Sequence, residues 1–179
     1  MPLFTGLFLA IALLAAAAAA QDCTSLLQAQ DAKAIAACKT QLDEAENGPA
    51  TERLPRIVAG DEYGVALLAL AHEPRESLAP FDRAIALLPE STVKPDSLQW
   101  AVPHWHRATA YQQLGQWERA VADLQMAEGA FNNAISSSAG DPAREEHFKQ
   151  LRRRVRQQHA NVLERQGKHA EAQKLLATQ

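Results

Sequence analysis

Aromatic residues make up only 6% of this 179-residue chain, and its net charge is −3. A near-neutral chain without interleaved aromatic and basic residues gives no general case for nucleic acid. The sequence has no Gly-x-Ser-x-Gly elbow, no glycine-rich phosphate loop and no His-Glu-x-x-His pair. It therefore carries no motif for acyl transfer, nucleotide chemistry or zinc hydrolysis. Carboxylate pairs such as Asp43-Glu44 and Asp61-Glu62 fall in polar stretches near helix ends, where solvation accounts for them. There is no Asn-x-Ser/Thr acceptor and no Cys-x-x-Cys. The expectation is a protein that is not an enzyme and uses no cofactor or metal. What the chain has in excess is alanine, and small residues at that level suit closely packed helices better than a sheet.

The N-terminus is read apart from the fold. Leu3 to Ala20 is an uncharged, mainly apolar run ending in six alanines, and polar residues start at Gln21-Asp22. Residues 1–20 read as a secretory signal with an Ala-x-Ala site and a mature start near Gln21. No Lys or Arg precedes the run, and an uncleaved segment of this length is the other reading, a membrane anchor. The expected compartment is periplasmic or extracellular. Two cysteines remain after cleavage, Cys23 and Cys38. An exported chain with an even count favours a disulfide over two buried thiols. If a short helix turns near Gln30-Asp31 into a second one, each Cys lies roughly 10–12 Å from the turn and the two sit level. Closing that loop is worth about 3 kcal/mol in the chain-entropy model.

Apolar periodicity organises the rest. Residues 108–127 read Ala108-x-x-Tyr111-x-x-Leu114-Gly115-x-Trp117-x-x-Ala120-x-x-x-Leu124-x-x-Ala127. Small and large apolar residues alternate at helical spacing on both sides of a Leu-Gly stop, which predicts helix, tight turn, helix. The pattern returns 52 residues later as Ala160-x-x-Leu163-x-x-Gln166-Gly167-x-His169-x-x-Ala172-x-x-x-Leu176. Its second half occurs 43 residues earlier as Ser77-x-x-x-Phe81-x-x-Ala84, with Val65 and Leu68 in the small and large slots of the helix before it. A degraded copy, Ala34-Ile35-x-x-Cys38-x-x-x-Leu42, lies a further 43 residues upstream. Asp141, Pro142 and Gly167 mark the start and stop of the last long helix. Pro80 is tolerable only if its helix starts near Ser77, which puts the proline in the first turn. Asn47-Gly48-Pro49 with Pro55, then Ser91-Thr92, Pro95-Asp96 and Pro103, then 136–142, mark three inserted loops. The last insertion is also expected to lengthen the flanking helices.

These residues resemble a tetratricopeptide repeat, most strongly over 104–127. The resemblance implies an all-α, right-handed superhelix of about four antiparallel helix pairs, with units near 23–46, 58–91, 101–131 and 142–179 in a domain spanning 21–179. It also implies that the first helix of each pair lines a concave face used for a partner segment. By position, the face residues are Val102, Trp105, Thr109, Gln112 and Gln113 in the strongest unit. In the last unit they are Arg154, Gln157, Asn161, Glu164 and Arg165. In the Phe81 unit they are Ala59, Glu62, Ala66, Ala69 and Leu70, a mostly small and apolar set open to cover by the N-terminal hairpin. Solvated helix surface is the plain alternative for all three sets. Tyr111 and Trp117 are expected to serve packing.

Charge is uneven. Residues 21–91 carry 12 acidic and 6 basic side chains, net −6; residues 92–179 carry 9 and 12, net +3. Lys149, Arg152, Arg153 and Arg156 fall on one helical stripe opposite Phe148, Leu151 and Val155. This is either a docking surface for an acidic partner or lipid headgroup, or a solvated face with Glu145 and Lys149 paired at i, i+4. His104 and His106 read as lying at a helix start after Pro103. On a helix they point about 200° apart and cannot share an ion. The leading expectation is an exported scaffold binding a protein or peptide in its groove. The alternatives are a structural subunit docking through its terminal helix pair, and a membrane-anchored accessory factor that retains residues 1–20.

Overall fold

A computed structural model describes residues 22–88 and 98–177, except the side chain of residue 99. The signal-peptide reading and the loop residues Ser91-Thr92 and Pro95-Asp96 lie outside the described residues. Within them the chain is all helical. The elements are α1 (Cys23–Gln28), α2 (Ala34–Asn47), α3 (Arg53–Ala69), α4 (Leu78–Ala86), α5 (Leu98–Gln113), α6 (Trp117–Ser137), α7 (Pro142–Arg165) and α8 (His169–Ala177). They pack in sequence as antiparallel pairs, and the first helices of successive pairs also touch, α1 on α3 and α3 on α5. No described helix is long and apolar enough to cross a membrane.

Four pair-internal turns close alike. Gln30, His72, Gly115 and Gly167 take left-handed backbone conformations, with φ of 54°, 57°, 70° and 74°. After three of them an amide reaches back five residues: Asp31 to the Leu26 carbonyl (2.9 Å), Gln116 to Tyr111 (2.8 Å) and Lys168 to Leu163 (2.9 Å). This closure satisfies carbonyls that a helix end leaves without partners. The α3–α4 turn holds one residue more. Glu73 reaches back six, to Leu67 (2.9 Å), while Leu70 bonds Ala66 just as Leu114 bonds Ala110 (both 3.1 Å). The register of α3 therefore shifts by one, which corrects the expected assignment: Gly64, not Val65, fills the small slot opposite Phe81.

That slot needs glycine. A Cβ at Gly64 would sit 2.5 Å from the Phe81 ring, and one at Gly60 would sit 3.1 Å from the Pro80 carbonyl. Pro80 is the third residue of α4, which starts just after Ser77, so its missing N–H falls in the first turn where no intrahelical bond is lost. Two other prolines correct the expected loops. Pro55 is the third residue of α3. Pro103 lies inside α5, so the helix starts at Leu98 rather than at His104; its ring is fully buried.

The third insertion lengthens its flanking helices, as expected, to 21 residues in α6 and 24 in α7. Asp141 caps α7 by accepting the Arg144 amide at 3.0 Å, with Pro142 in the first turn. Arg56 closes the α2 end by donating to the carbonyls of Ala45 (3.1 Å), Glu46 (2.8 Å) and Gly48 (3.2 Å). The largest core cluster joins α5, α6 and α7 through Ala108, Leu124, Phe131, Phe148 and Val155, with Tyr111 and Trp117 packed on it. A second cluster surrounds the Cys23–Cys38 disulfide, whose Cα atoms are 4.7 Å apart.

Gly64→Ala is expected to destabilise the fold by about 1–3 kcal/mol through overpacking against Phe81. Gly129→Ala, in α6 where an added Cβ meets nothing within 4 Å, is expected to stabilise it by about 0.5–1 kcal/mol. Urea unfolding of the two variants checks both signs. In the same assay, replacing both cysteines by serine is expected to cost about 3 kcal/mol.

Candidate functional site

Helix α5 carries the polar side chains that join the pairs to one another. Its His104 and His106 diverge, as helical geometry requires. The buried His104 Nδ1 meets Asp123 Oδ1 at 2.7 Å. Arg107 grips the same carboxylate twice, Nε to Oδ2 at 2.8 Å and Nη2 to Oδ1 at 2.7 Å, and reaches Asp82 of α4 with Nη1 at 2.6 Å. Burial pushes the Asp123 carboxyl up, but hydrogen bonds and charge from Arg107 and His104 hold its pKa below the usual value. Burial likewise opposes charge on Arg107, yet Asp123 and Asp82 raise its pKa above an already high value. His106 points the other way, its Nδ1 3.0 Å from Asp61 Oδ1 on α3.

Between them, Trp105 leans over the start of the next pair. Its Nε1–H donates to Gln158 Oε1 of α7 at 2.5 Å, and Gln158 Nε2 donates to Thr109 Oγ1 at 3.0 Å. The Trp105 ring meets Phe131 edge-on with centroids 6.3 Å apart. Two of the expected face residues are thus joined by one amide, which the sequence pattern did not single out. Gln112 is half-buried with its Nε2 lacking a partner, and Gln113 is exposed. On α7, Arg154, Gln157, Asn161 and Arg165 are exposed, with Gln157 donating to Asn161 at 3.2 Å. The N-terminal hairpin covers part of the Phe81-unit face. Ala66 packs with Cys23, Leu26 and Cys38, and Glu62 accepts from Thr24 (2.5 Å) and Gln41 (2.8 Å).

The basic stripe is engaged along its length. Lys149 pairs with Glu145 at 2.5 Å, Arg153 with Glu146 at 2.7 Å and Arg156 with Glu128 at 2.5 Å, while Arg152 donates to Asn132 at 3.0 Å. Among the described residues no three His, Cys, Asp or Glu side chains gather as a metal site requires.

One opening on the first-helix side is apolar. Ile57 and Val58 of α3 face Leu98, Val102 and Pro103 of α5 across a cleft of about 220 Å³, with Asp61 and Glu62 also lining it. Val58 and Leu98 are each 39% exposed, and Leu54, one turn before Val58, is 46% exposed. These side chains give this side of α3 and α5 an apolar surface.

No protein-family model, no curated protein and no solved structure matches this chain. The fold and the side-chain geometry are accordingly what any functional reading rests on. The Cys23–Cys38 disulfide fits an oxidising compartment outside the cytoplasm.

The His106–Asp61 contact carries a pH signature. Burial works against charge on the imidazole, but the Asp61 carboxylate outweighs it by charge and hydrogen bond and raises the pKa above 6.5. A base whose pKa rises on folding stabilises the fold while protonated. That stabilisation is complete below the unfolded value of about 6.5 and is lost as pH rises through the higher folded value. The thermal midpoint is expected to fall between about pH 6 and about pH 8 more steeply in wild type than in Asp61→Asn. Parallel slopes in differential scanning calorimetry refute the coupling.

Proposed function

We propose that the chain is an exported, periplasmic scaffold of the tetratricopeptide kind, a right-handed superhelix whose work is to hold a segment of a partner protein. Sequential antiparallel pairs, with small residues at each crossing, support the repeat reading. The observation that carries the binding reading is the open apolar cleft between α3 and α5, on the side of the first helices. In this reading Leu54, Val58, Leu98 and Val102 take the apolar side chains of the segment. The exposed amides and bases of α5 and α7 (Gln113, Gln157, Asn161, Arg154 and Arg165) extend the same side for backbone hydrogen bonds. Trp105 and Thr109 act mainly by fixing α5 to α7 through Gln158. Preorganisation of this kind spares a partner the entropy of ordering the groove.

The structural-subunit reading keeps one observation in its favour. Leu175 and Leu176 of helix α8 are only partly buried against Ala160, Leu163 and Ala172.

Leu98→Glu is expected to lower retention of a native envelope partner at least tenfold in pull-down with quantitative mass spectrometry. Met126→Glu, at a side chain 46% exposed on α6, is expected to leave the same partner bound. Equal retention by both variants overturns the groove. Light scattering addresses the other reading: a concentration-dependent mass abolished by Leu175→Glu favours assembly through α8.

A further inference from the structure

Helices α6 and α8 both pack on α7 and leave a cleft of about 470 Å³ between them. His159 and Leu163 of α7 form its floor, Val121 and Leu175 its apolar walls, and Lys168 and Lys174 stand at its rim. This size lies in the range of small-molecule sites. Two features suggest that the cleft is more than a surface irregularity. His159 is only 5% exposed, and its Nδ1 is shut off from water without a hydrogen-bond partner; buried polar atoms are rarely left this way. Lys168 and Lys174 also have no ion-pair partner among the described residues. Glu171 lines the same space, so two lysines against one glutamate leave a net charge of +1. Burial lowers the His159 pKa against the opposing pull of Glu128 and Glu171. Burial thus favours the neutral ring, which has one N–H to donate.

We propose that this cleft binds a small organic monoanion, a carboxylate on a short apolar chain. The chain covers Val121, Leu163 and Leu175. The carboxylate lies between Lys168 and Lys174, and a small shift of the side chains that now shut off His159 Nδ1 lets it give that atom a partner. A single negative charge matches the local +1, whereas a phosphate monoester near its dianionic state exceeds it. The site is separate from the α3–α5 cleft and does not depend on the reading of that surface.

The test is an amide-resolved NMR titration of the folded protein with hexanoate, hexyl phosphate and hexanamide. Hexanoate is expected to give saturable shifts confined to residues around the cleft, and its binding is expected to raise the His159 ring pKa. Hexanamide is expected to bind at least tenfold more weakly. Lys168→Gln/Lys174→Gln changes two exposed side chains, so the fold should persist by circular dichroism while hexanoate affinity drops at least tenfold. Hexyl phosphate binding more tightly than hexanoate overturns the carboxylate assignment in favour of a phosphate ester. Shifts that do not saturate, that hexanamide reproduces, or that survive the double substitution overturn the site.

Discussion

The array depends on one contact repeated at each crossing, a small residue on the first helix of a pair set against a larger one on the second. Gly64 faces Phe81, Ala108 shares a core cluster with Leu124, and Ala160 shares one with Ala172, on which Leu176 packs. In the first pair the same two positions are Cys23 and Cys38, and the packing contact becomes a covalent bond. A second small position, at the start of the second helix, is held by Ala34, Ser77, Ala120 and Ala172, each no more than 1% exposed. Side chains at the crossing set the distance between helix axes, so these positions fix how closely each pair closes. A closed pair still presents an apolar outer face. Leu68 and Phe81 bury theirs against Ala110 of the following pair, and so the pairs must stack.

Polar links then choose among the ways in which pairs could stack. Hydrophobic contact tolerates sliding, whereas Arg107 must reach Asp123 within its own pair and Asp82 in the preceding one. His106 adds Asp61 of α3, and Trp105 and Thr109 add Gln158 of α7. Helix α5 is therefore tied on both sides by directional bonds. Withdrawing one partner of a buried carboxylate leaves a charge without compensation, which costs more than the intact pair contributes.

Much of the fold was legible because it is local. Apolar spacing, the Leu-Gly stop, Asp141-Pro142 and the position of Pro80 all act within a turn or two of chain, and the level placement of Cys23 and Cys38 follows from helix rise alone. The misread features depend on what a residue meets at a distance. Gly60 and Gly64 look like weak points in a helix until Pro80 and Phe81 arrive against them. The turn near Gln30-Asp31 was placed from the sequence, whereas His72, which also takes a left-handed conformation, carries no glycine or asparagine to mark it. The extra residue at the α3–α4 turn moved α3 by one place. Pro103 looked like loop because a buried helix-interior proline is the exception. The repeat resemblance put Trp105 and Thr109 on one face of their helix, but the partner they share, Gln158, is 53 residues from Trp105 and carries no distinguishing pattern.

Two of the joints between first helices, α3–α5 and α5–α7, differ in what the protein itself places there. At α5–α7 the Gln158 amide spans the gap and uses the polar capacity of Trp105 and Thr109. At α3–α5 the carboxylates are turned to internal partners, Asp61 to His106 and Glu62 to Thr24 and Gln41. What remains facing outward is aliphatic, with Leu54, Val58 and Leu98 all more than a third exposed. Scattered exposed aliphatics need no explanation, but a contiguous group beside satisfied carboxylates does. Under the proposed docking, both carboxylates already have hydrogen-bond partners within the fold, Asp61 in His106 and Glu62 in Thr24 and Gln41. The part-buried His106–Asp61 pair thus links two helix pairs and gives the Asp61 carboxylate an internal partner beside the proposed apolar contact.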